Sequence, residues 1–244
     1  MEIRGVLFDL GGTLFRYGGN RRMAGIVGET AAALGIDVEG PDLGRSWRAA
    51  SEAVMRSYAS KAYYLHKDLF QDTLRHFASS HDVAVTEEVA ERFHAEQRDA
   101  VVGGLPIRED CLSTLEALRE RGLYLSIVSN IDDDYLDPLV ERNGLDAVLD
   151  HWTSSEEAAS CKPDPAIYHY ALEKAALAPG EVLFVGDSLQ HDVAGASKVG
   201  LRSARIVEPG VKTPLTDGLE VIAQPDWEIA ALAELIGIVD ESRG

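Results

Sequence analysis

The 244-residue chain predicts an α/β fold: a Rossmann-like three-layer core built on a parallel sheet, with an all-helical domain inserted into it. Three observations predict it. Short β-branched runs alternate with helical spacing through the second part of the chain, as in a doubly wound sheet. One buried strand, Ile3 to Leu10, stands alone near the amino terminus and is closed by Gly11-Gly12. Between these regions, residues 16–104 carry helical spacing only.

The elements follow in order. Helical faces are read at Ala31, Ala32 and Leu34 before Gly35, then at Trp47, Ala50, Val54 and Tyr58. Leu69, Phe70, Thr73, Leu74 and Phe77 give a third face, and Val89, Phe93 and Ala100 a fourth. The insert is entered through Gly18-Gly19 and left through Gly103-Gly104, so the core comprises residues 1–15 and 105–244. A helix at Leu112, Leu115 and Leu118 ends near Gly122, a residue suited to the C′ position. The later strands are expected at Tyr124–Ser129, Val148–Thr153, Val182–Val185, Ser203–Val207 and Val221–Ala223.

Composition narrows the function. With 45% hydrophobic residues and 9 prolines, the chain can bury a full core and is not generally disordered. A net charge of −18 with no Lys/Arg-rich run repels a polyphosphate backbone, which argues against nucleic acid as a partner. Cys111 and Cys161 are the only cysteines, too few for a disulfide framework or a zinc knuckle. The start, MEIRGVLFDLGG, has no long apolar h-region, and no stretch approaches the roughly 20 apolar residues of a bilayer crossing. A cytoplasmic protein, monomer or homodimer, without a membrane partner is the expectation.

Open parallel sheets bind ligands at the carboxyl ends of their strands. The residues there are Asp9, Ser129-Asn130, the loop carrying Lys162, and Gly186-Asp187-Ser188. Two carboxylates, a hydroxyl and an ammonium converging on one edge suit metal-assisted phosphoryl chemistry. Asp9 could attack phosphorus if a hard cation such as Mg²⁺ offsets the repulsion between like charges. Asp187 is the natural second carboxylate; Asp192 could hold a metal-bound water or orient Lys162. Ser129 and Asn130 could donate to phosphate oxygens, with Lys162 matching their charge. Asp132-Asp133-Asp134 reads as first-turn helix carboxylates that complement the dipole.

The set Asp9-Leu10-Gly11-Gly12-Thr13-Leu14, Ser129-Asn130, Lys162-Pro163-Asp164-Pro165 and Gly186-Asp187-Ser188 through Asp192 resembles, in order, the four motifs of the haloacid dehalogenase-like hydrolases. The resemblance covers the core and makes the helical insert similar to that family's first-position cap. It implies Asp9 as a nucleophile forming an aspartyl-phosphate, and Ser129 and Lys162 as phosphate binders beside the Leu10-Gly11 backbone. It also implies Mg²⁺ on Asp9, the Gly11 carbonyl and Asp187, with a small phosphorylated metabolite as substrate. One position departs from the pattern: the phosphatases of the family usually carry a second Asp, an acid and base, where this chain has Gly11. Losing a positioned acid costs on the order of 10²–10⁴ in rate. Haloacid dehalogenases and phosphonatases also lack that Asp, the latter using a cap lysine for which Lys61 and Lys67 are candidates. A low-turnover binding or regulatory relative is a further alternative.

Overall fold

The computed structural model describes residues 2–17, 21–208, 210 and 223–244. Its contacts divide the chain into two compact units, Met1–Tyr17 with Pro106–Gly244, and Gly18–Leu105.

The first unit holds six strands among the described residues: β1 (Gly5–Phe8), β2 (Tyr124–Ser129), β3 (His151–Ser154), β4 (Val182–Gly186), β5 (Arg202–Ile206) and β6 (Trp227–Ile229). All pair in parallel, in the order β3-β2-β1-β4-β5-β6. The sequence pattern follows from this placement. β1 reads GVLF and β4 reads VLFVG, and every residue of both is buried, because central parallel strands are covered on both faces. Strand order reverses at β1, so the crevice for a ligand lies beyond the carboxyl ends of β1, β2 and β4.

The second unit is helical: α1 (Arg21–Ala33), α2 (Gly40–Tyr58), α3 (His66–Ser79) and α4 (Glu87–Gly104). Ile26, Val27, Ala31, Ala50, Leu74, Phe77, Phe93 and Ala100 form its core. Trp47 packs against Phe77 and Phe93, with ring centroids 5.6 and 5.5 Å away. The remaining helices belong to the first unit: α5 (Cys111–Glu120), α6 (Asp133–Arg142), α7 (Pro165–Ala175), α8 (Gly195–Lys198) and α9 (Leu235–Ser242). Residues of α7 and α8, including Ile167, Tyr168, Ala171 and Ala196, pack with Leu7, Val128 and Phe184 of the sheet. Tyr168 meets Phe184 edge-on at 5.2 Å. No helix among the described residues is long and apolar enough to cross a membrane.

One expectation is corrected. The apolar Val148-Leu149 pair belongs to a turn following the helical segment Leu145–Ala147, so the third strand begins at His151 rather than Val148. Gly144, at φ 66°, ends the preceding helix and starts that turn, which buries Leu145, Val148 and Leu149 without strand pairing. Of the run expected as the last strand, Val221 and Ile222 lie outside the described residues and Ala223 is in no strand; among the described residues the sheet ends on β6. Gly103-Gly104, expected as the exit from the insert, completes the last turn of α4, with the Leu105 N–H donating to the Val101 carbonyl. Gly18-Gly19 lies outside the described residues.

Phe184→Ala removes a fully buried ring from the center of the sheet. It is expected to cost about 3–5 kcal/mol in urea denaturation. Leu112→Ala, at a 38% exposed position, is the control, expected within about 0.5 kcal/mol of the parent.

Candidate active site

The carboxyl edge of the sheet collects the residues singled out in the sequence. Phe8 is in register with Ile127 on one side and Val185 on the other, and the Asp9 N–H donates to the Val185 carbonyl at 2.8 Å. Asp9 thus leaves β1 between the ends of β2 and β4, which deliver Ser129 and Gly186-Asp187. The Ser129 hydroxyl donates to Asp9 Oδ1 at 3.0 Å. Lys162 Nζ lies 2.6 Å from the same oxygen and 2.7 Å from Asp192 Oδ1.

Lys162 is buried, and both of its carboxylate partners are buried with it. Burial pulls its ammonium down, yet the Asp192 and Asp9 carboxylates outweigh that and hold it above its ordinary value. Burial likewise pushes the Asp192 carboxyl up, Lys162 pulls it back, and it rests at about 6. The Lys162 ammonium also sits 5.2 Å from the center of the Phe184 ring, joining the site to the core beneath it.

Asn130 is at the site, but its side chain is committed to Lys162. Its Nδ2 donates to the Lys162 carbonyl at 2.9 Å, and its Oδ1 accepts from the Lys162 N–H at 2.6 Å. This pair fixes the backbone that carries the lysine. Leu10 is buried, and its carbonyl accepts from the N–H groups of Leu14 and Phe15, folding the segment after Asp9 into a tight turn.

Asp192 is brought back to the sheet by an unusual turn. Leu189–Ala194 forms a π-helical segment, capped by Ser188, whose Oγ accepts from the His191 N–H. The Ser188 N–H in turn donates to Asp192 Oδ2 at 2.9 Å. A Cβ at Gly186 would collide with the Asp192 carboxylate, so glycine there makes the approach possible.

Two further residues at this edge are not among those the sequence singles out. Arg108, buried, donates from Nε to the Thr13 carbonyl at 2.7 Å and from Nη2 to the Gly12 carbonyl at 2.8 Å. It clamps the turn after Asp9, and Glu208, 3.1 Å from its Nη2, balances its charge. Tyr17 lays its ring against Gly11 and Gly12, beside the Asp187 carboxylate. No motif spacing marks either one; both are defined by contacts across the fold.

Asp9, Asp187 and Asp192 each offer an oxygen, and these oxygens all lie within 4.8 Å of one another. Against three carboxylates stands one ammonium, Lys162, so the pocket carries excess negative charge. That hard-oxygen donor set fits a divalent cation such as Mg²⁺. In the helical unit, Lys67 Nζ is paired with Glu91 at 2.9 Å, and Lys61 Nζ lies 3.4 Å from the center of the Tyr58 ring.

Removing the ammonium from this buried cluster leaves its carboxylates uncompensated. Lys162→Met is expected to destabilize the protein by about 3–5 kcal/mol in urea denaturation with a chelator present. Lys162→Met/Asp192→Leu should recover part of that loss, because burying neither charge costs less than burying one alone. Equal stability of Lys162→Met and the parent would show that the pair carries no such burden.

A family model described as haloacid dehalogenase-like hydrolase matches residues 3–200. The chain is 30% identical to haloacid dehalogenase-like hydrolase domain-containing protein 3 of Bos taurus, over 100% of this chain and 96% of that protein. It is 29% identical to (S)-2-haloacid dehalogenase 4A of Burkholderia cepacia, over 98% of this chain and 93% of that one. Identity to ribulose-1,5-bisphosphate 5-phosphatase of Halopiger xanaduensis is 28%, over 96% and 98%. The fold is shared with the magnesium-bound HAD-hydrolase YfnB of Bacillus subtilis at a TM-score of 0.76, with 18% identity over 98% of this chain and 100% of that one. The chain, with its parallel sheet in this strand order and a family match over most of its length, belongs to the haloacid dehalogenase-like hydrolases.

Proposed function

We propose that this hydrolase is a Mg²⁺-dependent phosphatase that cleaves a small phosphorylated metabolite through an aspartyl-phosphate on Asp9. The observation that carries the proposal is the gathering of three carboxylates at the sheet edge, two of them held on one ammonium. A carboxylate that attacks carbon needs no cation, and two further carboxylates beside it would only raise the cost of keeping it charged. Phosphoryl transfer does need a cation, because nucleophile and substrate are both anionic.

Asp9 and Asp187, with the Gly11 carbonyl, would hold Mg²⁺, and Asp192 would order the water around it. The bound ion supplies positive charge against the phosphate dianion. Asp9 forms the new bond to phosphorus, its carboxylate oriented by the hydrogen bonds from Ser129 and Lys162. The same hydroxyl and ammonium are the donors nearest an incoming phosphate, and Lys162 matches its charge. Water then cleaves the aspartyl-phosphate and restores the Asp9 carboxylate. Selection of the metabolite is assigned to the helical unit acting as a cap. The phosphatase named among the relatives supports this reading, and the dehalogenase named there marks its competitor.

The test is phosphate release from a panel of phosphorylated metabolites and p-nitrophenyl phosphate. Release is expected to need Mg²⁺, to stop with a chelator, and to fall at least about 10³-fold in Asp9→Asn. Mg²⁺ is expected to raise the melting temperature of the parent and to do so less in Asp187→Asn. Halide release from 2-haloacids without any metal, and no phosphate release, would replace this reading with dehalogenation.

A further inference from the structure

The missing carboxyl at Gly11 leaves the leaving-group oxygen without an assigned partner. The donors around Asp9 are mostly spoken for. Ser129 and Lys162 donate to Asp9, Lys162 also to Asp192, and the Asn130 amide donates to the Lys162 carbonyl. Tyr17 is different. Its ring and the Asp187 carboxylate meet over the turn after Asp9, both within 2.6 Å of where a Gly12 Cβ would stand.

The two glycines after Leu10 make that position available. A Cβ at Gly11 would lie 3.3 Å from Tyr17 Cε1 and 3.6 Å from its hydroxyl oxygen. A Cβ at Gly12 would lie 2.5 Å from Tyr17 Cε2 and collide with Asp187 Oδ2, and Gly12 has φ 80° besides. The Tyr17 ring therefore occupies the space that a side chain at position 11 would fill, and its phenol is the polar group that enters there.

We propose that Tyr17 is a catalytic residue whose phenol donates a hydrogen bond to the leaving-group oxygen of the substrate, in the place left open by Gly11. The inference rests on the phosphatase reading and deepens it. As the bond from phosphorus to the leaving oxygen breaks, its electron pair stays on that oxygen while Asp9 forms the new bond to phosphorus. The phenol stabilizes the developing alkoxide by donation and keeps its own proton; the alkoxide takes a proton from water as it departs.

The experiment compares an alkyl phosphate, whose leaving oxygen needs stabilization, with p-nitrophenyl phosphate, whose leaving oxygen needs little. Tyr17→Phe keeps the ring on Gly11 and Gly12. It is expected to lower kcat/KM about 10²-fold on the alkyl ester and less than about 3-fold on the nitrophenyl ester. The Mg²⁺-induced rise in melting temperature should be unchanged. Gly11→Ala, whose methyl presses on the ring, is expected to show the same selective loss in smaller measure. Equal losses on both esters, or no loss on either, would overturn the role of Tyr17 while leaving the phosphatase reading intact. A parent protein that releases phosphate from neither ester would overturn the phosphatase reading and the inference with it.

Discussion

The buried ammonium of Lys162 is the interaction on which the rest of the site depends. Asp9 and Asp192 come from distant parts of the chain, and both end on the same nitrogen. Without it, carboxylates at the ends of β1 and beyond β4 would face each other in a region that water hardly reaches. Their mutual repulsion would either open the edge of the sheet or leave one of them protonated. The lysine fixes the distance between them by bonding to both. Its own backbone is fixed by the amide of Asn130, so one asparagine sets the position of the charge that organizes two aspartates.

Close backbone approaches keep this charge cluster small. Gly186 lets the Asp192 carboxylate come against the end of β4, and Gly12 lets Asp187 and the Tyr17 ring lie over the turn after Asp9. Arg108 then ties the carbonyls of that turn to the segment that opens the second stretch of the core. Next to it, the Arg16 N–H donates to the Pro106 carbonyl and the Arg108 N–H to that of Leu14. The segments that lead out of the core and back into it are thus bonded to each other and to the turn that carries Asp9.

The family accounts for the hydrolase and for the sheet, while its members differ in whether carbon or phosphorus is attacked. On the reading proposed above, the balance of charge is what favors phosphorus: one ammonium does not neutralize three neighboring carboxylates, and a divalent cation would do so without further residues.

Much of the fold is legible in the sequence. Continuous apolar runs such as VLFV mark strands buried on both faces, and the end of each run locates the next functional residue. Asp9, Ser129 and Asp187 are readable in this way, and Lys162 from the loop between two such runs, because strand ends in a parallel sheet share one edge. The bounds of the third strand are not, since short apolar pairs such as Val148-Leu149 bury equally well in a turn. Arg108 and Tyr17 carry no signal of their own: an arginine after Pro106 or a tyrosine before a glycine pair is ordinary as sequence. The sequence by itself determined which residues reach the sheet edge, because alternation and turn chemistry are local. Only the tertiary structure decided which of them touch, that Asn130 serves Lys162 and that Tyr17 fills the space beside Gly11, because those contacts join segments that local patterning cannot relate.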